Sequence, residues 1–145
     1  MRLRFLRVFV VAVLLNYLWE LGQSPLYVGM GDFGAMWWHC FIASLGDGLL
    51  VLLIFAACRA VLRRQDWFEQ PGTGGYALML IVGLVIGITG EMVAVHAFHW
   101  WTYSERMPVV PKLNVGITPV VQMTLLPPVV FRVVTAWQEH QRPYC

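Results

Sequence analysis

Residues 75–103 read GYALMLIVGLVIGITGEMVAVHAFHWWTY, and this stretch decides the fold. From Gly75 to Gly90 no side chain is charged; Glu91 then falls in apolar surroundings, and the run closes on His96, His99, Trp100, Trp101 and Tyr103. At 1.5 Å per residue, a helix crosses a hydrocarbon layer of about 30 Å in roughly 20 residues, so the run is long enough to span. A carboxyl group at that depth is costly against lipid, and Glu91 is expected to face other helices or a wet cavity.

Three further apolar runs provide that shelter. The 145-residue chain is 59% hydrophobic and only 12% charged, with mean hydropathy +0.65, which is too apolar for a water-soluble domain of this size. The predicted fold is all-α: a polytopic membrane protein forming one four-transmembrane-helix bundle over residues 1–145, with helices near 4–21, 35–60, 75–99 and 115–137. Arg2, Arg4, Arg7, Arg59, Arg63, Arg64, Arg132 and Arg142 fall on one side of this arrangement, leaving Arg106 and Lys112 on the other. The positive-inside rule then puts both termini in the cytoplasm, and the expected location is a bacterial inner membrane. These arginines are juxtamembrane and form no basic face with interleaved aromatics, so nucleic acid is not an expected partner. Attraction to anionic headgroups suits them better. The N-terminus imitates a signal peptide, but no small-x-small cleavage site precedes Trp19, and it reads as a retained first helix. Cys40, Cys58 and Cys145 show no metal or disulfide spacing.

Each helix carries polar groups of its own. In the first, Asn16 and Glu20 share a face at i, i+4. The following segment, residues 22–34, reads as a loop and a candidate outer lid. In the second helix Asp47 lies between Gly46 and Gly48, small residues that let a neighbouring helix approach, and it sits roughly 18 Å below the outer end. A face through His39, Ala43, Gly46 or Asp47, and Leu50 would let positions 39 and 47 line one cavity. Residues 61–75 read as an interfacial stretch of helix ended by Pro71. In the third helix Gly83 and Gly87 are spaced for close packing, and Glu91, Val95 and His99 form a stripe, with His96 turned about 100° away from Val95. Pro108 and Pro111 stiffen an outer cap, and Pro127 and Pro128 are expected to bend the fourth helix, whose Thr118 and Gln122 share a face.

Pooled by depth, Asn16, Glu20, His39, Glu91, His99, Thr118 and Gln122 occupy the outer half, with Asp47 deeper. A shared cavity is the expectation. Glu91, Asp47, His39 and Glu20 are the catalytic candidates, because a buried carboxyl group can serve as general acid while another acid or a histidine takes the proton back. Asn16, His99, Gln122, Thr118, Tyr103, Trp37, Trp38 and Trp100 are the substrate-binding candidates; the tryptophans read equally as interfacial anchors. No metal or other cofactor is expected: His96 and His99 at i, i+3 converge poorly, and no nucleotide loop, GxSxG, HExxH or CxxC occurs.

The segments WELGQSPLY (19–27), SLGDGLLV (44–51) and MPVVPKLNVGITPVVQMTLLPP (107–128) resemble a group of small bacterial four-pass integral membrane proteins of uncharacterised activity. The resemblance implies the topology and transfers no activity; those proteins pair the acid with an aromatic as Glu-Trp, where this chain has Glu91-Met92. A looser likeness, of chemistry alone, is to membrane isomerases and cyclases of isoprenoids. The functional expectation is a membrane-embedded acid–base enzyme of isomerase or cyclase type acting on a lipophilic substrate, isoprenoids included. The alternative is a non-catalytic subunit that binds lipid, a homo-oligomer or another membrane protein, or a small oligomeric transporter.

Overall fold

The computed structural model describes residues 2–30, 32–64 and 66–141, so Arg142 and Cys145 lie outside it. Four helices dominate: α1 (Arg2–Gln23), α2 (Phe33–Leu62), α3 (Gly72–Met92) and α4 (Ile117–His140). Each belongs to a span long and apolar enough to cross a membrane, and the chain is a polytopic four-helix bundle. Inside hydrocarbon only structures that satisfy their own backbone survive, which is why these runs are helical despite many β-branched residues. Helix α1 packs on α2 and α4, and α3 on α4 and α2. The outward faces carry Leu14, Leu18, Leu49, Leu53, Ile81, Val85 and Leu125, while Asn16, Ser44, Glu91 and Gln122 are buried. That inversion of the soluble pattern is what a bilayer requires.

The start of α1 and the end of α4 lie together. Arg7 donates from Nη2 to Gln141 Oε1 at 2.6 Å and lies over the Trp137 ring at 5.4 Å. This is the arginine end; the opposite one is the capped end.

At the arginine end the connection after α2 departs from the sequence reading. Arg63, with φ of 54°, closes α2, and no interfacial helix follows among the described residues. Trp67 and Phe68 instead turn inward and are fully buried against Phe55 and Phe131, with ring centroids 5.3–6.2 Å apart. Aromatic residues beside a membrane boundary fit either an interfacial anchor or a plug, and here the gap between α2 and α4 takes the rings. Val8, Val51, Ile54, Met79 and Val134 complete this core. Helix α3 begins at Gly72 rather than at residue 75, because Pro71 accepts from Gly75 N at 3.0 Å and sets the first turn.

Gly83 and Gly87 do form the contact face with α4. A Cβ at Gly83 would lie 2.3 Å from the Met123 carbonyl oxygen, and one at Gly87 would lie 3.1 Å from Met123 Cβ. Helix α4 runs through Pro127 and Pro128. Since Pro127 has no N–H to offer Met123 O four residues earlier, the carbonyl freed by the proline is the one that Gly83 approaches.

At the capped end three short segments cross the bundle. After a 3₁₀ turn at Ser24–Leu26, Tyr27 pairs with Tyr103: Val28 N donates to Thr102 O, and Ser104 N to Leu26 O, both at 2.9 Å. Strands β1 (Val109–Val110) and β2 (Val115–Gly116) form an antiparallel hairpin, registering Val109 with Gly116. The expected rigid cap is thus a hairpin, which moves the start of α4 to Ile117.

Candidate functional site

The polar side chains separate into two linked groups beneath the cap. The first is built on α1, α2 and α4. Asn16, Glu20 and Gln23 stand along one face of α1 at i, i+4 and i+7. Gln122 reaches them from α4: its Nε2 donates to Asn16 Oδ1 at 2.8 Å and to Asp47 Oδ2 at 2.9 Å, while its Oε1 accepts from Gln23 Nε2 at 3.0 Å. Gln23 Nε2 also donates to Glu20 Oε1 at 2.7 Å, and Asn16 Nδ2 donates to Ala12 O at 2.8 Å. Glu20 and Asp47 are thereby joined through the Gln23–Gln122 pair, Glu20 accepting from Gln23 and Asp47 from Gln122. Asn16 and Gln122 are almost completely buried. A carboxyl pair on two helices is therefore framed by carboxamides from α1 and α4.

The second group joins α3 to the cap. Tyr103 donates its hydroxyl hydrogen to Glu91 Oε2 and accepts from Gly116 N at 2.8 Å, so one phenol ties α3 to β2. The Trp101 indole N–H is buried close to both Glu91 and Tyr103 without a bond of good geometry. Tyr27 lies against Tyr103 and Trp101, with centroids at 5.9 and 6.3 Å, and it feels the charge of Glu91, Glu20 and Asp47. It is the side chain between the two groups. Burial, followed by the neighbouring carboxylates, raises the pKa of Tyr27; burial, followed by the bond to Glu91, raises that of Tyr103. Both phenols are held in their neutral, donating form.

Of the candidates named from sequence, the structure brings together Asn16, Glu20, Asp47 and Gln122, and separately Glu91 and Tyr103. Thr118 borders the first group, donating only to the weak acceptor Met107 Sδ at 3.2 Å. His39, expected to line one cavity with Asp47, does not join the first group. It is exposed, with Nδ1 2.9 Å from Ala35 O, because eight helical residues leave about 80° between it and Asp47. The stripe from Glu91 to His99 is also broken: Val93–Ala97 form a π turn, and His99 is exposed beyond it with φ of 52°. His96 turns to the cap, its Nε2 3.1 Å from Leu113 O. Trp37, Trp38 and Trp100 point outward, packed on Tyr17, Phe41 and Phe98 respectively. That is the placement of interfacial anchors. Among the described residues no three His, Cys, Asp or Glu side chains converge as a metal site would need.

Gln23, Tyr27 and Trp101 were not among the candidates. Gln23 carried a readable signal, since it completes the stripe begun by Asn16 and Glu20; Tyr27 and Trp101 reach the site only through the pairing of two loops.

A groove of about 370 Å³ opens on the flank of the bundle beside the first group, lined by Leu18, Trp19, Gly22, Gln23, Leu26 and Thr118. It lies between α1 and α4 near the capped end. Comparison of the chain with protein-family models, with curated proteins and with solved structures returned no match.

Proposed function

We propose that the chain is a membrane-embedded acid–base enzyme acting on the alkene of a lipophilic, isoprenoid-like substrate, in the isomerase or cyclase class, with Glu20 and Asp47 as its proton-transfer pair. The observation that carries this reading is the hydrogen-bonded chain Glu20–Gln23–Gln122–Asp47, which sets the two carboxyl groups on neighbouring helices beside a groove open to the flank. A carboxyl pair that shares one proton presents an acid and its conjugate base together, and this is the state proposed for the resting site. The protonated member donates to one alkene carbon, forming a C–H bond at the expense of the π bond and leaving a carbocation on the other carbon. The carboxylate then removes a proton from a neighbouring C–H, directly for isomerisation or after a second alkene has attacked the cation for cyclisation. Each cycle returns the pair to its starting state. Gln122 and Gln23 hold the oxygens in place by donating to Asp47 and Glu20. Glu91 is tied to Tyr103 and acts as the fastening of the cap. The arginine end faces the cytoplasm of a bacterial cell in this reading, which follows the positive-inside rule.

Solvent-derived deuterium tests it. The protein is reconstituted in nanodiscs in D₂O with unsaturated isoprenoid alcohols, and the recovered lipids are weighed by mass spectrometry. Wild type is expected to place deuterium on carbon, and Asp47→Asn and Glu20→Gln to lose about 10²–10⁴-fold in rate while keeping helicity. Uptake that survives in both variants, or none in wild type across the isoprenoid panel, refutes the acid–base reading and leaves the polar layer as the lock of a non-catalytic subunit.

A further inference from the structure

The six residues of the flank groove carry more chemical information than an apolar crevice would. Leu18, Gly22 and Leu26 form an aliphatic wall, and Trp19 adds its ring. None of the six is charged. Two are polar, and their hydrogen bonding is unequal. Both Nε2 hydrogens of Gln23 are engaged, one on Glu20 and one on Gln122, whereas among the described residues its Oε1 accepts from Trp19 Nε1 alone, at 3.2 Å. Thr118 Oγ1 spends its hydrogen on the Met107 thioether and keeps its lone pairs. The groove therefore offers hydrogen-bond acceptors and has no strong donor to spare.

An anionic headgroup would meet no cation here, and the carboxyl pair stands directly behind Gln23. A carbonyl-ended lipid would find no donor without displacing one of these bonds. An alcohol satisfies every requirement, because its hydroxyl hydrogen can go to Gln23 Oε1 or Thr118 Oγ1. The groove runs along α1 and α4, helices long and apolar enough to cross a membrane, so a bound alcohol could keep its chain in hydrocarbon while its hydroxyl is held.

We infer that the α1–α4 groove is the binding site of an uncharged long-chain alcohol, which lies along Leu18, Gly22 and Leu26 with its hydroxyl on Gln23 and Thr118. This deepens the acid–base reading, on which it rests for turnover alone, by making the substrate an alcohol rather than its phosphate ester.

The test uses a diazirine-bearing farnesol analogue and its monophosphate as photo-crosslinking probes on the full chain in nanodiscs, with labelled peptides mapped by mass spectrometry. The alcohol probe is expected to label α1 between Leu18 and Leu26, with at least tenfold preference over the phosphate. Gly22→Leu sends a side chain into the groove from a position where a Cβ meets nothing within 4 Å, and should cut labelling at least fivefold at unchanged helicity and elution volume. Thr118→Val should weaken it, and Thr118→Ser should restore it. Equal labelling by the two probes, or labelling indifferent to Gly22→Leu, overturns the assignment. Crosslinking reads occupancy and deuterium uptake reads proton transfer, so either idea can fail while the other stands.

Discussion

Gln122 joins Asp47 to Asn16 through the two hydrogens of a single side-chain nitrogen, at 2.9 and 2.8 Å, and so fixes the relative heights of α2, α1 and α4. Removing that carboxamide leaves buried partners on three sides. Gln122→Leu should destabilise the folded bundle by about 1–3 kcal/mol, the cost of orphaning buried polar groups, softened by whatever partners they find in the loosened state. Thermal unfolding in detergent measures it, and Thr124→Val, which removes only a local bond to Val120 O, is the control expected to move little.

Gly83 and Gly90 lie on one helix with opposite prospects. Gly83→Ala drives a methyl into the Met123 carbonyl and should cost about 1–3 kcal/mol by forcing α3 from α4. At Gly90 a Cβ meets nothing, so Gly90→Ala should be neutral or stabilise by up to about 1 kcal/mol. Equal midpoints for the two variants would contradict the packing described.

Trp67 is completely buried although it sits in a connecting segment. Trp67→Ala should therefore cost about 3–5 kcal/mol, as a core truncation does, rather than the few tenths expected of an interfacial ring. Tryptophan fluorescence quenching by a water-soluble quencher, with and without Trp67, reports the same burial independently.

The phenols of Tyr27 and Tyr103 set an alkaline limit. Their pKa values in the folded state lie above the ordinary tyrosine value of about 10, so the associated stability is intact below that pH and declines as pH rises through the folded values. Absorbance titration should show tyrosines that ionise late in the native protein. Tyr103→Phe should remove one of them, reduce the alkaline loss, and lower stability at neutral pH by freeing Gly116 N and Glu91.

The spans and the inward polar residues were legible in the sequence because a polar side chain in hydrocarbon has few places to go: Asn16, Asp47, Glu91 and Gln122 all lie inside. Which of them meet was not legible. Periodicity places residues around one axis but says nothing of which helix stands opposite, so Glu91, expected in one cavity with Asn16 and Gln122, is found on Tyr103 of the cap. His39 and His99 were each paired with an acid eight residues away, a spacing that accumulates a wide angular error even before the π turn intervenes. Tyr27 and Trp101 depend on loop pairing, which leaves no periodic trace. For Trp67 the same composition serves an anchor or a plug, and only the space between α2 and α4 decides.

The aromatic plug around Trp67 also governs how this molecule meets its surroundings. With rings filling one end and paired loops over the other, a groove on the flank opens beside Gln23, and under the alcohol-site proposal a ligand reaches it within the plane of the bilayer. Occupancy of the proposed site would then answer to how crowded the leaflet is with ligand, so diluting the membrane with inert lipid should lower it even when nothing in the water has changed.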